Sequence, residues 1–155
     1  MIMQSAAVLP ELYEADETAW LELMAGLIGQ GRHADLDFAH LHEYLTDMAL
    51  RDRREVVSRL TVLLAHRLKW DLQPEQRTRS WRTTIEVQRQ ELAALLESKS
   101  LYNHALATLA KAYANGVRQA ASETGLAASR FAAECPYGLD ALLTEDWAGA
   151  DAENA

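Results

Sequence analysis

Two tryptophans, a histidine and four cationic side chains fall within the sixteen residues His66–Trp81, where Pro74 interrupts any helix. His66, Lys69, Trp70 and Gln73 share one helical stripe, and Arg77, Arg79 and Trp81 return on the segment after the proline. Arg89 extends the same basic stretch. Arginine matches a phosphate or carboxylate with a planar fork, and tryptophan stacks on a base or a guanidinium, so these residue types suit an anion or nucleotide pocket. A second arrangement uses the same residues differently. At a helix-hairpin corner, Trp70 and Trp81 are core, and the Lys69 and arginine stems cover them while pairing with Asp or Glu from the first or last helix.

Charge bookkeeping favours the corner. Residues 51–89 carry ten of the fifteen Lys+Arg against five Asp+Glu, while the rest of the chain carries five basic and eighteen acidic groups. A balance of +5 beside −13 gives the basic belt many partners within the chain. Arg51, Arg53, Arg54 and Arg59 lie on several faces of a helix that also holds Asp52 and Glu55. They read as a solvated face, with a docking strip for an acidic partner or a nucleic-acid backbone as the alternative.

Other chemistries find less support. His40, Glu43 and Asp47, at i, i+3 and i+7, could share a metal-facing side of a helix, but one helix supplies too few ligands without His104 or Glu22. Ser80 with His66 lacks the glycine pattern of a nucleophile elbow, and Ser80 reads better as a helix cap. Cys135 precedes Pro136 in a loop and reads as a small buried residue. No glycine-rich phosphate loop or dinucleotide fingerprint occurs, and no cofactor or metal is expected.

These groups must be positioned by helices. Only three Pro and seven Gly occur in 155 residues, which favours long helices over strands and tight turns. Asp16 caps a helix whose inward face is Trp20, Leu23, Met24, Leu27 and Ile28, ended by Gly29 and Gly31. Asp37 opens a much longer helix, about 37–72, with Leu41, Leu45, Met48, Val56, Leu60, Leu63, Leu64 and Leu68 as its drifting apolar face. Its middle, Arg51 to Glu55, is polar almost all round, so it crosses solvent or breaks in two. A third helix starts near Ser80 and carries Trp81, Ile85, Leu92, Leu95 and Leu96. After the polar break Ser98-Lys99-Ser100, a fourth runs from Leu101 to Thr124, with Leu106, Leu109, Ala110, Tyr113 and Val117 inward and Gly125 as its stop. Gly116 inside it costs roughly 1 kcal/mol relative to alanine and marks a tight crossing. A short helix from Leu139 to Leu143 closes the set. The expected fold is all-α and bundle-like: one domain over 1–147 with four main helices and a short C-terminal one, then a disordered acidic tail over 148–155.

Several patches together resemble the bacterial domain-of-unknown-function family twenty-nine, a family of small all-helical proteins. They include Ala19-Trp20-Leu21, Gly31-Arg32, Leu36-Asp37, Arg53-Arg54 and Ser58-Arg59-Leu60. The strongest run is Leu63-Leu64, His66, Leu68-Lys69-Trp70, Gln73-Pro74, Arg77, Arg79-Ser80-Trp81, Thr84-Ile85 and Gln88-Arg89. Glu123-Thr124 and Cys135-Pro136 follow. The resemblance spans roughly residues 13 to 147 and implies a helical fold without an activity to transfer. Where the family is similar to Leu-Ile-Glu-Glu-Ile-Glu, this chain reads Leu41-His42-Glu43-Tyr44-Leu45-Thr46, keeping one carboxylate of three.

Composition bounds the setting. A hydrophobic content of 49% with 25% charged residues is ordinary for a globular protein. The net charge of −8 argues against a general nucleic-acid binder. A single cysteine excludes an internal disulfide and suits a reducing compartment. Met1 to Pro10 lacks the basic flank and apolar core of a signal peptide. No stretch approaches the roughly 18 apolar residues of a membrane span. The expectation is therefore a cytoplasmic, non-enzymatic interaction or regulatory module. Its partner is an unknown protein or a second copy of the chain, since a helix of about 36 residues spans roughly 54 Å and is longer than a compact domain of this size needs.

Overall fold

In the computed structural model, residues 9–146 are described, and the expected acidic tail over 148–155 lies outside them. Six α-helices follow in order: α1 Leu9–Ala15, α2 Glu17–Gly29, α3 Phe38–Leu72, α4 Arg79–Leu95, α5 Lys99–Thr124 and α6 Leu139–Thr144. Single 3-10 turns occupy His33–Asp35, Pro74–Gln76 and Ala128–Arg130, and no strand occurs among the described residues. The fold is all-α, as its composition and periodicity indicate.

The chain divides after Leu50 into two compact units. In the first, Asp16 accepts the Ala19 amide at 3.0 Å and starts α2. Trp20, Met24 and Leu27 are buried with Leu9, and Leu12, Tyr13, Leu36, Leu41 and Tyr44 pack around them. Helix α1 is absent from the sequence-based expectation. At seven residues it is too short to show a period, and it is held by packing. The Tyr13 ring meets Trp20 edge-on at 4.8 Å and stacks on His40 at 4.2 Å. Asp37 opens α3 as expected, accepting the His40 amide at 3.3 Å.

Helix α3 does not break at its polar middle. It runs uninterrupted over 35 residues, and Arg51, Asp52, Arg53 and Arg54 are exposed. Leu45, expected on the apolar face, is 64% exposed instead.

In the second unit, Val56, Leu60, Leu63, Leu64 and Leu68 of α3 form the core with Ile85 and Leu92 of α4, Tyr113 of α5, and Leu139 and Leu142 of α6. Thr78, not Ser80, caps α4, its hydroxyl accepting the Trp81 amide at 3.1 Å. Ser98 caps α5, which starts two residues earlier than its apolar pattern suggests. The inward face of α5 is also rotated from the expected one. Leu106 is 49% exposed and Ala110 is exposed, while Ala105, Ala112, Tyr113, Gly116 and Ala120 are buried. The cause is close approach. A Cβ added at Gly116 would lie 3.1 Å from the Leu64 Cβ and 3.2 Å from the Ala65 amide nitrogen. Small residues therefore take the contact side and the larger ones flank it. Gly125, with φ at 76°, ends α5 in the left-handed conformation typical of a helix C-terminus.

Candidate functional site

The corner between α3 and α4 holds Lys69 and Arg77 and turns both onto groups of the protein itself. Lys69 is nearly buried, and its Nζ donates to Glu123 Oε2 at 2.5 Å while lying 4.9 Å from the centre of the Trp81 ring. Gln119 also donates to Glu123, at 3.1 Å. Burial opposes ionisation of Glu123, but the hydrogen bonds from Lys69 and Gln119 outweigh it and hold the carboxyl below its ordinary range. His66, one turn before Lys69, hydrogen-bonds through Nδ1 to the Val62 carbonyl at 2.8 Å. That contact requires a proton on Nδ1 and leaves Nε2 as the acceptor of the neutral ring. Burial, aided by the Lys69 charge, pushes the His66 pKa down, against the Val62 bond and Glu123.

Arg77 donates from Nε to the Trp70 carbonyl at 3.0 Å, with its guanidinium 4.8 Å from the Trp70 ring centre. Arg82 approaches the same ring at 5.8 Å. Trp70 and Trp81 thus serve as core and as platforms for cations, the arrangement expected of a helix-hairpin corner. Arg89 binds the other end of the bundle. Its Nε donates to the Leu142 carbonyl at 2.7 Å and its Nη2 to the Glu145 carbonyl at 2.5 Å, placing a positive charge at the C-terminus of α6. Arg79 is exposed at the first turn of α4 and makes no hydrogen bond or ion pair among the described residues. The structure therefore brings His66, Lys69 and Trp81 together with Glu123, and Arg77 with Trp70. Arg79 and Arg89 point elsewhere.

One cluster in this unit escapes sequence reasoning. Asp71 Oδ2 accepts from Arg67 Nε at 3.0 Å and from the Tyr137 hydroxyl at 2.6 Å. The Arg67 guanidinium lies 5.0 Å from the Tyr137 ring centre. Burial and then the Asp71 carboxylate push the Tyr137 hydroxyl far above its ordinary value, so it is a fixed donor and no acid–base group near neutrality. Tyr137 is 66 residues from Asp71, and no local spacing announces such a pair. Cys135, two residues earlier, donates from Sγ to the Tyr137 carbonyl at 3.4 Å, and burial raises its pKa. It is not an activated thiolate.

The remaining basic groups divide in two. Arg59 is engaged with Glu55 at 2.8 Å, Gln88 at 3.2 Å and Glu91 at 3.7 Å. Glu55 thus pairs with Arg59 rather than with Arg51, the partner its spacing also allows. Arg53 reaches His104 at 3.5 Å. Arg51 and Arg54 are exposed and make no hydrogen bond or ion pair among the described residues.

The weak metal candidates lie in the first unit. His40 Nδ1 is 2.7 Å from Asp37 Oδ2, which also accepts from Trp20 Nε1 at 3.2 Å. Burial works against the Asp37 charge, but these hydrogen bonds prevail and keep its pKa low. Glu43 and Asp47 are exposed one and two turns on. Among the described residues no three His, Cys, Asp or Glu side chains are placed to hold a metal ion. Neither is any helix of those residues long and apolar enough to cross a membrane.

Two of the clefts among the described residues are lined in part by apolar side chains. One of about 800 Å³ lies between α5 and the segment 128–137, with Leu109, Tyr113, Val117 and Phe131 among its walls. The other, about 400 Å³, is walled by Leu23, Leu27, Leu36 and Phe38.

Compared with known proteins, residues 12–148 match the family model described as Domain of unknown function DUF29. No curated protein and no solved structure matches the chain.

Proposed function

We propose that this chain, which belongs to the DUF29 family of domains of unknown function, is a non-enzymatic interaction or regulatory module of the bacterial cytoplasm that docks an acidic protein surface. The observation that carries this reading is the division of the basic belt. Arg59, Lys69, Arg77 and Arg89 are held by acceptors within the protein, whereas Arg51 and Arg54 on α3 are exposed without a hydrogen bond or ion pair among the described residues. Exposed arginines cost nothing to desolvate from an internal partner, and they steer an oppositely charged surface during encounter.

An anion or nucleotide pocket at the 66–89 corner would first have to part Lys69 from Glu123 and Arg77 from the Trp70 carbonyl. Loss of such paired contacts offsets much of what a ligand would gain. The exposed arginines do not require that step.

Fluorescence anisotropy with a labelled polyglutamate peptide tests the reading. At low salt the protein should bind the probe, and the double substitution Arg51→Glu, Arg54→Glu should weaken binding by about tenfold or more. Equal affinity for both proteins would discard the role of these arginines. Nucleic acid that co-purifies and is removed by salt would mark a nucleic-acid function instead.

A further inference from the structure

Helix α5 is one-sided in charge. From Lys99 to Ser122 it holds Lys99, Lys111 and Arg118 and neither Asp nor Glu. His104, Lys111 and Arg118 follow at steps of seven, so they stand in one row, and Lys111 and Arg118 are exposed. Arg118 hydrogen-bonds Asn115 of its own helix, and Lys111 makes no hydrogen bond or ion pair among the described residues. Arg53 of α3 reaches the row at His104, at 3.5 Å.

Beside this row lies the cleft of about 800 Å³. Leu106, Ala110 and Val117 of α5 line it, with Phe131 and Glu134 from the facing segment, and Arg118 is part of its rim. Leu106 is 49% exposed and Ala110 is exposed, so much of this apolar line meets water. From Leu106 to Val117 the line covers roughly 16 Å of helix, or about three turns.

We propose that the cleft takes an amphipathic helix of a partner protein, its apolar stripe seated between α5 and residues 128–137 and its acidic edge laid along Lys111 and Arg118. Charge complementarity selects that chemistry. The α5 side is cationic and carries no carboxylate along the cleft, while Glu134 lines the other wall, so the acidic edge of the occupant turns towards α5. Length selects a helix over a small ligand, because three turns of open apolar surface match anchors repeated every three or four residues. The inference goes beyond the reading above: it supplies an apolar anchor and uses neither Arg51 nor Arg54, so either can fail alone.

Titration calorimetry on the full chain tests it with a synthetic helical peptide of about 18 residues, leucine along one stripe and glutamate along one flank of it. The wild type should bind this peptide about tenfold tighter, or better, than a scrambled peptide of the same composition. Lys111→Glu with Arg118→Glu should weaken binding about tenfold and should favour a peptide with lysine in place of each glutamate. Leu106→Ser should weaken both peptides. All three positions are exposed, so the helical circular dichroism spectrum should not change. A wild type that does not distinguish the glutamate-edged peptide from the scrambled one overturns the proposal, as do substitutions without effect. Binding of a fluorescent fatty acid without binding of the peptide would make the cleft a lipid site, and the proposal falls. If peptide binding is lost with Arg51→Glu, Arg54→Glu but kept with Lys111→Glu, Arg118→Glu, the α5 cleft fails and the acidic-partner reading stands.

Discussion

Lys69 and Glu123 divide one ion pair unequally between protein and water: the lysine side chain is 7% exposed and the glutamate 42%. Removing the glutamate leaves an ammonium with little solvent, whereas removing the ammonium leaves a carboxylate that water still reaches. Glu123→Ala should therefore cost about 2 kcal/mol or more, and Lys69→Met, which keeps the stem against Trp81, less than about 1 kcal/mol. Urea unfolding of the two variants checks the order, and equal losses would show that the pair is wet. His66 adds a pH dependence of definite sign. Its folded pKa lies below the unfolded value of ~6.5, so between the two the unfolded chain binds the extra proton. The stability it contributes is complete above pH ~6.5 and is lost as pH falls through the folded value. His66→Gln should flatten that slope. Glu123, whose folded pKa is also depressed, contributes in a lower window, complete above pH ~4.3 and lost as pH falls through its folded value.

Among the helices, the crossing of α3 and α5 gives the sharpest test. Gly116→Ala gains roughly 1 kcal/mol of helix propensity, but its methyl group meets the Ala65 backbone nitrogen at 3.2 Å, which cannot rotate aside. Overpacking should win, for a net loss of about 1–2 kcal/mol. Gly26→Ala in α2, with nothing within 4 Å, should gain up to ~1 kcal/mol, and thermal melts of both variants compare the two outcomes. The same crossing explains what the sequence could and could not disclose. Asp16, Asp37, Pro74 and Gly125 mark helix ends through local chemistry, and each acts where it was expected to. Periodicity places Tyr113, Leu109 and Val117 of α5 against the core but not the exposure of Leu106 and Ala110, because close approach selects alanine and glycine for the contact side. Thr78 and Ser80 are equally good caps by type, and only the exit from the Pro74 turn chooses between them. The partners of Lys69 and Asp71 lie 54 and 66 residues away, so their pairing follows from packing and leaves no mark in local spacing.

Across the whole molecule, charge is not spread evenly. Residues 1–50 hold nine acidic groups and one basic, which accounts for the entire net charge of −8, and the remainder balances. The two units also differ in core. Among the described residues, four hydrophobic side chains are buried in the first, Leu9, Trp20, Met24 and Leu27, against sixteen in the second. Amides of α2 should therefore exchange with deuterium faster than those of α5, and comparable protection would contradict so small a core. A six-residue helix does not persist in water alone, so the chain around Tyr137 and α6 opens and recloses at a rate that Arg89 helps to set. Cys135 lies in that segment with a thiol that burial keeps protonated. Its alkylation by an uncharged reagent thus becomes a clock for each opening. Arg89→Met should make that clock run about tenfold faster for every ~1.4 kcal/mol of closure it removes.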